Sequence, residues 1–96
     1  MDDDTTVTRD EDRRRFEVLS DGEVAGFVEY RGGDGTIDFV HTEVDDRFEG
    51  RGLGSTLVRA ALDQARADGL RVIATCSFVR EYVERHDEYA DLVSGD

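Results

Sequence analysis

Glu49-Gly50-Arg51-Gly52-Leu53-Gly54-Ser55 follows an alternating, strand-like stretch and opens a helix-like one. Glycines at alternate positions let the backbone adopt φ > 0 and let a ligand approach the main chain closely. The first amides of the helix that follows have no internal partner, and the positive end of the helix dipole lies behind them. Such a turn is a site for an anion, most naturally a phosphate or pyrophosphate. Arg47 and Arg51 add local positive charge. The bland alternative is a glycine-rich strand-to-helix turn without a ligand, a common element.

Two better-known phosphate loops do not fit. A Walker A loop requires Gly-Lys, and the chain has no Lys. The dinucleotide pattern G-x-G-x-x-G, started at Gly50, requires a glycine where Ser55 stands.

Upstream of the loop, three alternating runs separated by turns read as an antiparallel meander. Arg13–Leu19 carries Phe16 and Val18 on one face. Asp21-Gly22 is a hairpin signal. Glu23–Tyr30 carries Val24, Val28 and Tyr30 on one face and Ala25 and Phe27 on the other. After Gly32–Gly35, Thr36–Val44 places Ile37, Phe39, His41 and Glu43 on one face, with Val40, Thr42 and Val44 opposite. Downstream, Leu53, Leu57, Ala61 and Ala65 recur every four residues, an amphipathic helix to about Asp68 closed by Gly69. Leu70–Thr75 is a short strand with the apolar middle Val72-Ile73-Ala74. Ser77 is the expected cap of a second helix whose stripe is Phe78, Val79, Tyr82, Val83 and His86, and Asp87–Val93 adds a last turn. The fold class is α/β of the α+β kind, one mixed sheet in the order β-β-β-α-β-α. Residues 1–12 read as an acidic, frayed tail and residues 13–96 as one domain.

The chain has 96 residues, 24 acidic and 12 basic, for a formal net charge of −12 and a pI near 4.4. Phosphate neutralisation needs Lys and Arg, so nucleic acid and anionic membranes are excluded as direct ligands. No apolar run approaches a transmembrane span, and Met-Asp-Asp-Asp is the reverse of a secretory signal. The single Cys76 cannot form an internal disulfide, which points to a reducing cytoplasm. One Cys and two distant His supply no metal site. All basic residues are Arg, and Asp outnumbers Glu 15 to 9. Dense carboxylates without flexible Lys stems suggest a halophilic surface, stable where repulsion is screened. The alternative is a GC-rich genome.

The glycine loop resembles the acyl-CoA-binding loop of the GNAT superfamily of N-acetyltransferases, Gln/Arg-x-x-Gly-x-Gly/Ala, over Glu49, Gly50, Arg51, Gly52, Leu53 and Gly54. More narrowly, residues 41–93 are similar to the small single-domain N-acetyltransferase-like family. The likeness rests on His41-Thr42-Glu43-Val44, the glycine loop, Cys76-Ser77-Phe78-Val79, Arg85-His86-Asp87-Glu88-Tyr89 and Leu92-Val93. Glu49 departs from the usual Gln or Arg, and Ser77 and Asp87 stand where that family has Pro. The helices that most GNAT enzymes place over the acceptor have no room here, because Asp21-Gly22 turns directly.

The resemblance implies an acetyl-CoA-dependent N-acetyltransferase acting on a small-molecule or protein amine. The alternative is a non-catalytic acyl-CoA-binding module or partner-dependent subunit, a monomer or weak homodimer. It implies a coenzyme pyrophosphate on Arg51–Ser55, pantetheine along Thr42–Val44, and the thioester near Cys76. Cys76 is a buried packing residue, a lining residue of the acyl pocket, or a nucleophile; all three readings stand at this point. His41 is a candidate base or a satisfied histidine on a half-buried strand. Glu43 is a base acting through water or an exposed carboxylate. Tyr82 is a candidate acid for the departing thiolate or a packing residue. Arg80 or Arg85 is a candidate partner of the adenosine phosphate.

Overall fold

In a computed structural model, which describes residues 5–48 and 50–93, four antiparallel strands lead into one parallel strand. They are β1 (Thr5–Asp10), β2 (Arg15–Ser20), β3 (Glu23–Gly33), β4 (Thr36–Val44) and β5 (Arg71–Ala74), in the sheet order β1-β2-β3-β4-β5. Helix α1 (Leu53–Ala67) crosses over between β4 and β5, and α2 (Ser77–Arg85) follows β5. Short 3-10 turns cover Asp46–Phe48 and Asp87–Tyr89. The mixed α+β sheet is as expected, with one strand more.

That strand corrects the reading of residues 1–12 as a tail. Thr5–Asp10 pairs along its whole length with β2, from Thr5 opposite Ser20 to Asp10 opposite Arg15. Val7 packs against the core, while Thr6 and Thr8 face solvent. Arg9 donates to the Tyr30 hydroxyl at 3.0 Å and lies over the Phe16 and Tyr30 rings at 5.2 and 5.0 Å. Residues 1–4 lie outside the described residues, as do Glu49 and residues 94–96.

The Asp-Gly hairpin forms as expected: Asp21 and Gly22 have φ of 52° and 85°, both in the left-handed region that a tight two-residue turn requires. Two bulges interrupt the ladders. One leaves Ala25 without an opposite residue in β2, and the other does the same to Val40 against β3. The second has the larger effect on the site. A bulge inserts one residue and so reverses the in–out alternation beyond it.

Both helices pack on the face carrying Phe16, Val18, Val28, Ile37, Phe39 and Val72. From α1, Leu57, Val58, Ala61, Leu62 and Ala65 are buried there. Helix α2 contributes Val79 and Tyr82. Its first capping residue is Cys76 rather than Ser77, and no side chain caps it. Phe78, expected on the buried stripe, is 41% exposed. The C-terminal segment closes on α1: the Tyr89 hydroxyl donates to Asp63 Oδ1 at 2.7 Å, and Arg66 bonds Asp91 and the Glu88 carbonyl. Tyr89→Phe should lower unfolding stability by about 1.5–3 kcal/mol, the range for a hydrogen bond to a charged acceptor. A urea midpoint equal to that of the parent protein would show that this bond contributes nothing.

Candidate active site

The glycine loop uses its glycines for two different reasons. Gly50 and Gly52 have φ of 84° and 73°, where side chains other than glycine are strained. Gly52 is also the residue that caps α1, and no side chain caps that end. The first backbone bond inside the helix runs from the Thr56 amide to the Gly52 carbonyl at 3.1 Å. The amides of Leu53, Gly54 and Ser55 therefore have no intrahelical acceptor. Gly54 is different. A Cβ there would stand 2.8 Å from Phe78 Cζ and 3.4 Å from Val44 Cγ2. Its lack of a side chain lets α2 and β4 approach the start of α1.

Gly50, Gly52, Leu53, Gly54 and Ser55 line a groove of about 270 Å³ whose walls are Val44, Phe48 and Phe78. The loop arginines do not line it. Arg51 turns back to Ser20, with Nη2 donating to Oγ at 3.2 Å. Arg47 bonds Asp45 and lies 3.6 Å from Glu23. Phe48 is flanked by both guanidiniums, 5.2 and 5.5 Å from its centroid. A backbone bond from Arg47, then its guanidinium, holds the Asp45 carboxyl below its ordinary range. The anion-binding groups facing the groove are thus main-chain amides, backed by the helix dipole. Glu49, the first residue of the motif, falls outside the described residues.

Beside the groove, β4 and β5 part company. Their parallel pairing ends at Phe39 opposite Ala74, and the Cys76 amide then donates to the Phe39 carbonyl at 2.8 Å. Beyond that point β4 continues to Val44 paired with β3 on one side. Among the described residues no strand pairs with its other side. Thr42 Oγ1 and Cys76 Sγ lie 3.3 Å apart across the opening. Thr42 and Val44 face the helices here.

The bulge at Val40 sends His41 and Glu43 to the opposite face, away from Ile37 and Phe39. This corrects their placement on one common face. His41 Nε2 and Glu43 Oε2 are 2.8 Å apart, both side chains more than half exposed. A carboxylate only accepts, so His41 Nε2 carries the proton in this pair. The His41 ring lies 6.2 Å from Phe27, and Arg15 covers Phe27 at 4.4 Å. No helix covers this face among the described residues.

Tyr82 is elsewhere again. It is buried between His86, stacked at 3.9 Å and 14°, and Tyr89 at 6.0 Å. Burial raises its pKa, and the charge of Arg59 partly opposes that. His86 Nδ1–H donates to the Tyr82 carbonyl at 2.8 Å. With Ser55, Phe78, Glu81 and Arg85, these two rings line a cavity of about 90 Å³. Cys76 does not line that cavity, so Tyr82 and Cys76 are not brought together. The sequence reading missed Phe78 as a groove wall and the Thr42–Cys76 contact. The close spacing of Gly54 and Phe78 gives no sequence signal. No group of three or more His, Cys, Asp or Glu among the described residues could hold a metal ion. No helix among them is long and apolar enough to cross a membrane.

An amide-lined groove at a helix start thus opens beside a parted strand pair. The chain belongs to the GCN5-related N-acetyl-transferase family, whose model matches residues 15–92. It is 36% identical to protein NATD1 of Xenopus tropicalis over 83 residues, 83% of this chain and 75% of that one. Human NATD1 is 35% identical over an equal span, which is 73% of its length. Among solved structures, a GCN5-like protein from Staphylococcus aureus superposes with a TM-score of 0.72 at 30% identity, covering 95% of this chain and 89% of that one. An aminoglycoside acetyltransferase from a soil metagenomic sample shares the fold, with a TM-score of 0.56 at 15% identity, over 85% of this chain and 59% of that one.

Proposed function

We propose that this protein is an acetyl-CoA-dependent N-acetyltransferase acting on an amine that arrives from the helix-free face. The observation that carries the reading is the opening between β4 and β5, with the glycine cradle at its mouth and Cys76 at its head. Bound acetyl-CoA supplies a thioester for an amine to attack. The amides of Leu53, Gly54 and Ser55 suit the coenzyme pyrophosphate. The unpaired edge of β4 at Thr42–Val44 suits the amide-bearing pantetheine chain, which can hydrogen-bond there as an added strand.

An acceptor amine is protonated near neutral pH and must lose a proton to attack. His41 and Glu43 form a proton-accepting pair on the face from which it comes: Nδ1 of His41 is the open acceptor, and Glu43 holds Nε2. In this reading Cys76 lines the acyl end, its thiol engaged by Thr42 and hydrogen-bonded to no imidazole or carboxylate among the described residues. That arrangement favours direct transfer over an acyl-enzyme, whose nucleophile needs an activating neighbour. A second reading, a passive coenzyme-binding module, draws on the exposure of His41 and Glu43, whose desolvation would need a partner or a bulky acceptor.

Thermal melts in molar KCl with and without acetyl-CoA test the reading. Ligand at 100 times its Kd stabilises by about 2.7 kcal/mol, a shift of roughly 10–20 °C for a domain this size. No shift in folded protein would sink both coenzyme readings. Intact mass after incubation should show no gain of about 42 Da. A gain that disappears in Cys76→Ala would replace direct transfer with an acyl-enzyme. Turnover with an amine panel, reduced in His41→Ala, separates the enzyme from the passive module.

A further inference from the structure

A separate cavity of about 350 Å³ lies where the β1–β2 turn meets the end of β3, at the opposite end of the sheet from the glycine loop. Arg9, Glu11, Arg14, Tyr30 and Gly32 line it. The acetyl-transfer reading uses none of these residues. We infer that this cavity is a binding site for a single phosphate group. Its holders are the guanidiniums of Arg9 and Arg14 and the hydroxyl of Tyr30.

Tyr30 carries the argument. The residue is more than nine-tenths buried, with 8% exposed. Its hydroxyl accepts a hydrogen bond from Arg9 Nε at 3.0 Å. A phenol is donor as well as acceptor, and among the described residues the Tyr30 proton has no acceptor. Buried polar groups nearly always find their partners. An unspent O–H donor beside two cations points to an anion.

The two arginines are placed for it. The Arg9 guanidinium is fixed by Tyr30, by Asp68 at 3.4 Å from Nη1, and by the Phe16 and Tyr30 rings beneath it. A side chain already held in place loses little freedom on binding. Its Nη2 makes no hydrogen bond with a described residue. The Arg14 backbone is tied to the same spot: its amide donates to the Glu11 carbonyl at 3.3 Å, and its carbonyl accepts from the Tyr30 amide at 2.9 Å. The neighbouring Arg13 pairs with Asp10. The Arg14 guanidinium pairs with no described residue, in a chain with twice as many acids as bases.

The ligand chemistry follows from the donors. Two planar guanidiniums and a hydroxyl offer more donors than the two oxygens of a carboxylate use, and a phosphate dianion has the charge and the oxygens to engage them. One phosphate needs only this pair of arginines, whereas a nucleic-acid strand needs a row of them. Glu11 also lines the cavity, and its carboxylate opposes an anion there. That opposition supplies a test of opposite sign.

Titration of the full chain with inorganic phosphate, exchanged for chloride at fixed ionic strength, tests the site. Phosphate can also enter the glycine cradle, so binding is read residue by residue by nitrogen-15 NMR. In the parent protein the Arg9 Nε–H signal and the Arg14 and Gly32 amides should shift saturably. Acetate should bind there at least about 10-fold more weakly, and Arg14→Ala and Tyr30→Phe should each cost phosphate about 10-fold or more, on the scale of a hydrogen bond to a charged group. Shifts at Leu53–Ser55 should be the same in both variants as in the parent. Glu11→Gln should tighten binding. A Cβ at Gly32 meets no atom within 4 Å, so Gly32→Leu keeps the fold and fills the cavity with every charge in place. That variant should lose the site. Arg59→Ala, which removes the same charge from α1 outside the cavity, should leave it unchanged. The proposal is overturned by a folded parent whose Arg9, Arg14 and Gly32 signals do not saturate with phosphate, or by shifts that survive both Arg14→Ala and Gly32→Leu. Equal affinity for acetate overturns the assignment to phosphate.

Discussion

Gly52→Val and Gly54→Val each abolish acetyl-CoA binding, with affinity falling about 100-fold or more, while far-UV circular dichroism retains the native spectrum. The two variants fail by different routes. Gly52 holds φ 73° and ψ 16° at the cap of α1. An L residue there costs about 1–2 kcal/mol, and a β-branched one is a genuine outlier. The chain relieves that cost by rotating the turn, which swings the free amides of Leu53–Ser55 away from a shared target. Gly54 has ordinary helical geometry, so strain is not its problem. Its Cβ would overlap the tip of the Phe78 ring at 2.8 Å. Phe78 is half-exposed and can swing, so the fold survives, but the valine methyls and the displaced ring then occupy the groove. Gly50→Ala is the comparison: a Cβ there meets open space, leaving only the cost of φ 84°. Affinity unchanged in both valine variants would end the phosphate-cradle argument, whatever the activity data say.

The melting temperature should rise steeply with KCl, by roughly 10 °C or more between dilute buffer and molar salt, equivalent to about 2 kcal/mol at this size. The net charge of −12 on 96 residues is self-repelling, and compaction brings the charges together. Screening length falls from about 10 Å at 0.1 M to about 3 Å at 1 M, which removes most of that repulsion. Salt also weakens the attractive pairs, but these are largely exposed. Arg47 with Asp45 and Arg66 with Asp91 lie on the surface, where such pairs contribute about 0–1 kcal/mol each. Twelve uncompensated acids outweigh them. A melting temperature flat across the salt series would assign the Arg- and Asp-rich composition to codon usage rather than to a saline environment.

The sequence made the meander, the helix after the glycine loop and the loop's anion chemistry legible, because each rests on local signals. Asp21-Gly22 demands a tight turn, and Leu57, Ala61 and Ala65 demand one buried helical face. What stayed hidden is non-local or reverses a local rule. β1 has only Val7 as an apolar residue. Its remaining signal is the β-branched set Thr5, Thr6 and Thr8, which an edge strand with one half-buried face needs and a polar tail also tolerates. The bulge at Val40 is a second case. Both faces of Thr36–Val44 carry apolar residues, so alternation alone continues smoothly through it. The ladder shows the slip, and the slip separates His41 and Glu43 from the helix side, where Thr42 meets Cys76. Phe78 is the third case: helical periodicity puts it inside, but the groove at Gly54 leaves it half in solvent.

The strand order along the sheet bears on how the chain reaches this structure. Each strand lies beside its predecessor, and only β4 and β5 are joined by a crossover. Hairpins can close one after another across short turns, so each new pairing orders few residues at a time. Pairing β5 with β4 must close the whole crossover helix, a longer loop than any hairpin turn, and it completes the opening beside Thr42. Contacts this near in sequence favour fast folding for a sheet protein. The chain contains no proline, so refolding lacks the tens-of-seconds phase that peptide isomerisation imposes. The protein should recover from unfolding in a single rapid phase, with little time for its exposed β1 edge to find another chain.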